Sequence, residues 1–303
     1  MSANTSTPTL PLRLGLAMWS HNHWQQSLYG KGCKNGDRLA RYADVFSTVE
    51  GNTTFYATPA ATTVKKWHDA TSDDFRFTFK LPSAITHQQQ LQHCDQLVSD
   101  FFAVMSPLIN KVGLWKIQLP AHFGPQHLTQ LDSFLTRLPK QLPVGVEVRH
   151  LAFFNKGEEE RALNQLLIKH DANRIIMDSR PVFAAPPTTE AVIDAHQKKP
   201  KVPVHAIATS QHPMIRFIGH PDDLSNDAFF NNWLARLTVW LKENKQPYLF
   251  IHTPDNNHAP ELAVRLYKKL QQQLTSQAND CANLALPNIN LPQAEPNPQF
   301  QLL

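Results

Sequence analysis

The run Val144-Gly145-Val146-Glu147-Val148-Arg149-His150 sets an acid and a base two residues apart, next to a histidine. Side chains of a strand alternate between its faces, so the three valines share one face while Glu147 and Arg149 share the other. The pattern recurs in Thr48, Glu50 and Asn52, in Arg76, Thr78 and Lys80, in Lys116 and Gln118, in Asp178 and Arg180, and at the single positions Arg216 and His252. An isolated charge costs several kcal/mol to bury, so such a set must be mutually paired or open to water and ligand. The acids Glu50, Glu147 and Asp178 are outnumbered by the bases Arg76, Lys80, Lys116, Arg149, Arg180 and Arg216, a surplus of about three. Two chemistries fit: a self-satisfied ion-pair network, or a site that takes a phosphate or carboxylate on the arginine forks of Arg149, Arg180 and Arg216.

Within that set, Glu147 and Asp178 are candidate general bases, with Glu50 beside them. His87, in Ile85-Thr86-His87, is a loop histidine able to carry a proton. Lys80 would become nucleophilic if neighbouring cations depressed its pKa; ion pairing with Glu50 or Glu147, the more natural expectation, would raise it. Tyr56 and His252 are candidates to donate protons or orient a ligand. Asn52, Gln118 and His150 are candidate ligand contacts, and Trp19 and Trp24 a candidate aromatic wall. A divalent metal is not favoured. Glu50, Glu147, Asp178, His150 and His252 offer oxygen and nitrogen ligands, but arginines compete for the carboxylates and no His-x-His or His-Glu-x-x-His spacing occurs.

These residues need a scaffold that brings strand ends together. Eight strand patterns occupy 12–18, 47–50, 75–80, 112–119, 144–149, 174–178, 214–218 and 248–252. Helical spacing of apolar residues follows: Leu39, Tyr42 and Phe46, a helix opened by Pro59, then 91–109, 128–138, 158–170, a run through Phe229, Trp233, Leu237 and Trp240, and 260–270. Alternating strands and helices imply parallel pairing with right-handed crossovers. No Gly-x-Gly-x-x-Gly turn follows the first strand, so no nucleotide-cofactor motif is present and an open dinucleotide-binding sheet is disfavoured. The expected fold is α/β, a single-domain (β/α)8 TIM-type barrel over 11–274, with sites at the C-terminal ends of its strands. Residues 180–213, which contain Lys198-Lys199-Pro200-Lys201-Val202-Pro203, read as an insertion after strand six, either a lid or a solvated excursion. Residues 1–10 read as a disordered lead-in and 275–303 as a disordered tail.

Composition narrows the class further. The chain has 303 residues, 42% hydrophobic, with a formal charge of +4 and three isolated cysteines, Cys33, Cys94 and Cys281. An odd, scattered cysteine set argues against a disulfide framework. No apolar run approaches the roughly 18 residues that cross a bilayer, and the polar Ser/Thr-rich start lacks the order of a signal peptide, so no membrane partner is expected and the location expected is cytoplasmic.

Thr48-Val-Glu-Gly-Asn-Thr-Thr-Phe-Tyr56, Phe79-Lys80 with Ile85-Thr-His87, Gln118-Leu-Pro120, Val146-Glu-Val-Arg-His150, Asp178-Ser-Arg-Pro181, Arg216-Phe-Ile-Gly219 and His252-Thr-Pro-Asp255 together resemble the YecE-like family. The resemblance runs from about Leu12 to Leu270 and implies a TIM-type barrel, without implying any catalytic role. It weakens at the first strand, where Leu16-Ala-Met-Trp19-Ser stands in place of a Gly-rich Gly-Thr-Ser-Gly-Trp run. The preferred reading is an enzyme acting on a small anionic metabolite by acid/base chemistry. The alternatives are a nucleic-acid-binding or nuclease-like barrel, with the Lys-rich insertion on phosphates, and a small-anion binding protein without chemistry. The sequence carries no signal of oligomeric state.

Overall fold

Residues 10–277 and 286–292 are described in a computed structural model of the chain. The segments 1–9, 278–285 and 293–303 lie outside the described residues, and with them most of the expected lead-in and tail. The described residues form nine strands, most of them phased by apolar residues at every second position: β1 (Arg13–Leu16), β2 (Thr48–Gly51), β3 (Arg76–Lys80), β4 (Val112–Gln118), β5 (Val144–Glu147), β6 (Asn173–Arg174), β7 (Ile176–Asp178), β8 (Met214–Ile218) and β9 (Tyr248–His252). All pairings are parallel, in the order β6-β5-β4-β3-β2-β1-β9-β8-β7. β6 and β7 are the two halves of the expected sixth strand, parted at Ile175, whose N–H donates to the Val146 carbonyl at 2.9 Å. The first half pairs with β5 and the second with β8, which brings the ends of the sheet together as a TIM-type barrel of parallel strands.

Helices α1 (Arg38–Ala43), α2 (Ala61–Asp69), α3 (Asp95–Met105), α4 (Leu128–Arg137), α5 (Glu158–Lys169), α6 (Arg180–Ala184), α7 (Glu190–Lys198), α8 (Asn226–Lys242) and α9 (Ala259–Ser276) are interleaved with the strands. The helix expected over 91–109 is shorter: a π-helical turn at Ala84–Gln88 precedes α3 and a 3-10 turn at Ser106–Lys111 follows it. Residues 180–213 contain α6 and α7, followed by an irregular run that returns to β8. What reads as an insertion is thus the sixth helical connection plus a strap. The expected disordered tail differs at 286–292. There Leu286, Ile289 and Leu291 pack on the core, and the Tyr267 hydroxyl donates to the Pro287 carbonyl at 3.0 Å.

Two apolar regions result. The larger lies between strands and helices and includes Phe77, Phe79, Trp115, Ile117, Val146, Phe217 and Ile251. The smaller, Leu114, Ile175, Met214, Tyr248 and Phe250, is a separate cluster formed by the opposite side chains of their strands, which fill the barrel's interior. The barrel is therefore plugged with apolar side chains over its lower half, and the charged residues lie above that floor, toward the C-terminal strand ends. Gly15 permits close approach of β1 to β2, since a Cβ there would sit 2.2 Å from the Thr48 carbonyl oxygen.

Candidate functional site

At the centre of the inward face is Arg216 on β8, buried by the strands around it. Its Nε and Nη2 donate to the two Glu50 oxygens at 2.6 and 3.1 Å, and its Nη1 donates to Glu147 Oε2 at 2.7 Å. Glu147 Oε1 accepts from Arg149 Nε and Nη2 at 3.1 and 2.9 Å. Lys116 Nζ stands 3.5 Å from Glu50 Oε2 and 3.5 Å from Asn52 Oδ1. Asn52 also donates to Glu50 Oε2 at 3.3 Å and to the Ala17 carbonyl at 3.0 Å. Five sequence candidates (Glu50, Asn52, Glu147, Arg149 and Arg216) are thus joined in one network from β2, β5 and β8, with Lys116 beneath them.

Burial pushes the carboxyls of Glu50 and Glu147 up, but the facing cations outweigh it. Arg216 and Lys116 hold Glu50 well below the carboxylate range; Arg216, Arg149 and Lys80 bring Glu147 to about 2. Both are fixed counter-charges and weak proton acceptors. The lysines move the other way. Burial, with Arg216 and Lys116 adding repulsion, lowers Lys80 to about 7, and burial with Arg216 lowers Lys116 to about 8. The expected raising of Lys80 by Glu50 or Glu147 is overturned: their attraction is present but smaller than the cost of burial. Lys80 lies 5.4 Å from the centre of the Phe55 ring, and among the described residues it has no carboxylate within ion-pairing distance.

An amine held in this way works against folding. Its folded-state pKa is below that of the unfolded chain, so the unfavourable contribution is full below pH 7 and is lost as pH rises to 10.5. Lys80→Met is expected to raise stability by about 2 kcal/mol at pH 7, less than the full linkage value because the half-buried amine keeps some water. The gain should shrink between pH 7 and 10 in chemical-denaturation midpoints; a loss of stability at pH 7 would contradict the account.

Other candidates surround the mouth. His87 lies in the π-helical turn after β3, its ring 5.0 Å from Phe55, and its Nδ1 is 2.9 Å from the Thr86 hydroxyl. Burial, then Arg149 and Lys80, lower its pKa, so it is neutral at pH 7. His252 is buried with Nε2 3.7 Å from Glu50 Oε2, too far for a hydrogen bond, and burial lowers it to about 4 despite that carboxylate. His252 Nε2 and Gln118 Oε1 are buried polar atoms without hydrogen-bond partners among the described residues. Such atoms are rare in stable folds and at a site mark places a ligand can satisfy.

Five candidates lie elsewhere. Asp178 faces outward, because Met177 is the β7 residue that pairs with inward Arg216 while Asp178 pairs with Phe217. Its carboxylate accepts from Trp233 Nε1 of α8 at 2.8 Å and from Arg180 Nε and Nη2 at 2.9 and 2.7 Å, so both residues belong to the helix layer. Conversely Ile175, which alternation sets on the side opposite Asp178, is part of the interior plug. Trp19 packs edge-on against Trp67 and Phe77, also in the helix layer, and Trp24 is buried with Nε1 donating to the Asn256 carbonyl at 2.8 Å. Tyr56 is 83% exposed beside Phe55. Two further residues depart in detail. His150 caps the following 3-10 turn, its Nδ1 accepting from Ala152 N–H at 3.2 Å. Arg76, at the N-terminal end of β3, donates to the Asp73 and Phe75 carbonyls at the opposite end of the barrel.

One residue of the site was missed. Lys199 follows α7, and burial and then Arg216 lower it to about 8, with Glu50, Glu147 and Arg149 also acting on it. The strap therefore adds a cation to the mouth. Counting Arg216, Arg149, Lys80, Lys116 and Lys199 against Glu50 and Glu147, the site holds a surplus of three cationic groups when all are protonated. Below the strap a narrow cavity is lined by Glu147, Phe154, Arg174, Met177, Pro200 and His205, where β5 and β7 diverge. Among the described residues no group of three or more His, Cys, Asp or Glu side chains is arranged to hold a metal ion, and no helix is long and apolar enough to cross a membrane.

The family model for "Protein of unknown function DUF72" matches residues 13–284. The UPF0759 protein YecE of Escherichia coli strain K12 is 49% identical over 261 residues, which cover 86% of this chain and 93% of that protein. Two solved structures of DUF72 family proteins share the fold. One, from Enterococcus faecalis, has a TM-score of 0.64 at 20% identity, covering 86% of this chain and 97% of its own. The other, from Thermotoga maritima, has a TM-score of 0.64 at 21% identity, covering 86% and 98%.

Proposed function

The chain belongs to the DUF72 family, and from that premise we propose that it is an enzyme acting on a small phosphate- or carboxylate-bearing metabolite at the C-terminal mouth of its barrel. The observation that carries this reading is the cationic surplus of Arg149, Arg216, Lys80, Lys116 and Lys199 over Glu50 and Glu147. A purely structural network would balance its charges, because each uncompensated buried cation costs free energy. An anion entering the mouth supplies the missing negative charge. Arg216 is fully engaged with two carboxylates and acts as their anchor, whereas half-buried Arg149, through the Nη1 that Glu147 does not take, and half-buried Lys199 would turn a donor toward an incoming anion. The unpartnered Gln118 oxygen and His252 nitrogen would orient its hydroxyl or carbonyl groups.

Proton transfer falls to His87 and Lys80 more than to Glu147. A base works best with a pKa near the working pH, which Lys80 at about 7 meets and Glu147 at about 2 does not. The strap 199–205 serves as a cover over the mouth in this reading, through Lys199.

Thermal unfolding of the wild type in inorganic phosphate tests the reading. At ten times the dissociation constant an anion adds about 1.4 kcal/mol, a rise of roughly 2–5 °C for a chain of this size. Arg149→Ala should unfold cooperatively and lose most of that rise, since Glu147 keeps its bond to Arg216. An equal response to phosphate in both proteins, or none in the wild type to phosphate and to simple carboxylates, would remove the anion site.

A further inference from the structure

We propose that Lys80 is a nucleophile that forms an imine with an anionic substrate carrying an aldehyde or ketone. The inference rests on the anion site proposed above and names the substrate class for it. Three features of the geometry lead here. First, the charged groups of the mouth are not equivalent. Arg216, Arg149 and Lys116 each have a carboxylate oxygen within 3.5 Å, while Lys80 has none among the described residues. Its amine instead lies over Phe55, half-buried at the end of β3, within reach of a bound molecule. A cation kept for structure would be placed where its charge is neutralised. Second, His87 packs against that same Phe55, so the ring is flanked by the amine and by a neutral imidazole. Third, the acceptors that would hold an ammonium ion charged are committed elsewhere: Glu147 to Arg149 and Arg216, Glu50 to Arg216, Lys116 and Asn52. The lowering of Lys80 to about 7 agrees with this placement, because it leaves about half of the amine neutral at pH 7.

The step balances without an oxidant or other co-reactant. The amine lone pair forms a C–N bond to the carbonyl carbon as the C=O π pair moves to oxygen. His87 takes the proton from the new ammonium and returns it to that oxygen, giving a neutral carbinolamine. The now neutral imidazole takes up one further proton from the water at the open mouth and passes it to the hydroxyl, which leaves as one water while the nitrogen lone pair closes C=N; that solvent proton is the charge of the iminium. The resulting cationic iminium sits near Glu147 and draws electrons from the adjacent carbon, the usual reason for joining a carbonyl to an amine. Arg149 and Lys199 hold the substrate's phosphate or carboxylate.

The test uses the full chain with glyoxylate, pyruvate, dihydroxyacetone phosphate and glyceraldehyde 3-phosphate, each reduced with cyanoborohydride at pH 7, with modified peptides identified by mass spectrometry. At least one probe is expected to label Lys80 tenfold or more above exposed Lys65, inorganic phosphate should suppress that labelling, and Lys80→Arg should remove it without changing the other sites. Labelling of Lys80 should reach half its maximum near pH 7. If all four probes mark Lys80 no more than Lys65, the proposal is overturned. Phosphate stabilisation measured on the same sample then says which idea failed: if it persists, the anion site stands and only the imine is lost; if it is absent, both are.

Discussion

Replacing Arg216 by Met should lower the stability of the protein by about 3–5 kcal/mol, the range seen when one partner of a buried ion pair is removed and the other is left without compensation. Arg216 bridges two carboxylates that are themselves buried, through three bonds of 2.6, 3.1 and 2.7 Å. Without it Glu147 keeps Arg149, but Glu50 is left with Lys116 at 3.5 Å, the neutral amide of Asn52 at 3.3 Å and a neutral histidine. The pH dependence carries the sign. In the wild type, both carboxyls titrate below their unfolded value, so their stabilisation is present above about pH 4.5 and is lost as pH falls through the folded values, near 2 for Glu147. In Arg216→Met the Glu50 carboxyl moves up, so the gap from wild type should narrow between pH 7 and 4. Urea midpoints across that range are the measurement. A cost below about 1 kcal/mol at pH 7 would mean that water reaches the trio and that burial is not what fixes it. Adding Glu50→Gln to Arg216→Met should recover part of the loss, because the worst member of the broken network is then neutral.

The reason this network was legible in sequence is that its strands alternate cleanly. Phe75, Phe77 and Phe79, or Val144, Val146 and Val148, fix the phase of a strand against the helices, and the opposite residues must then face inward. Strand six offers no such phase. Ile175, Ile176 and Met177 are consecutive apolar residues, and the chain changes partners among them, so alternation, which sets Asp178 opposite Ile175 and Met177, does not say which of the two sets faces inward. What settles its side is Trp233, a hydrogen-bond donor 55 residues away on another element, which no local pattern encodes. Trp19 was misplaced similarly: proximity to the first strand suggested the site, but its edge contacts with Trp67 and Phe77 are tertiary. Lys199 was invisible for the opposite reason. Within Lys198-Lys199-Pro200-Lys201 it looks solvated, and only the backbone bond from Lys199 N–H to Ala195 O at 2.9 Å and the Ser179 hydroxyl on Pro200 O at 2.8 Å seat it near the mouth.

That seating predicts a second large effect, at Glu160, a residue outside the site. Glu160 projects from α5, is 3% exposed, and its Oε1 accepts from Arg174 Nη1 at 2.8 Å and lies 2.6 Å from His205 Nδ1 in the strap. Its other oxygen accepts from Lys156 N–H at 2.8 Å. Burial raises this carboxyl, but His205, Lys156 and Arg174 outweigh it and hold it ionised. Glu160→Ala therefore leaves Arg174 buried with only neutral partners, Asn164 and the Phe153 carbonyl, and removes the contact that holds His205 of the strap to the barrel. The expected cost is about 3 kcal/mol, most of it the unpaired guanidinium. His205→Ala separates the two consequences, since it removes the strap contact and leaves the Arg174 pair in place; it should cost only about 1 kcal/mol. Amide hydrogen exchange distinguishes them. In His205→Ala faster exchange should be confined to the strap and its return to β8, whereas Glu160→Ala should also expose α5 and β6. If Lys199 contributes to the mouth, both variants should bind phosphate more weakly than the wild type. Unchanged phosphate stabilisation in His205→Ala, with the strap shown to exchange faster, would take Lys199 out of the site while leaving Arg149 and Arg216 in it.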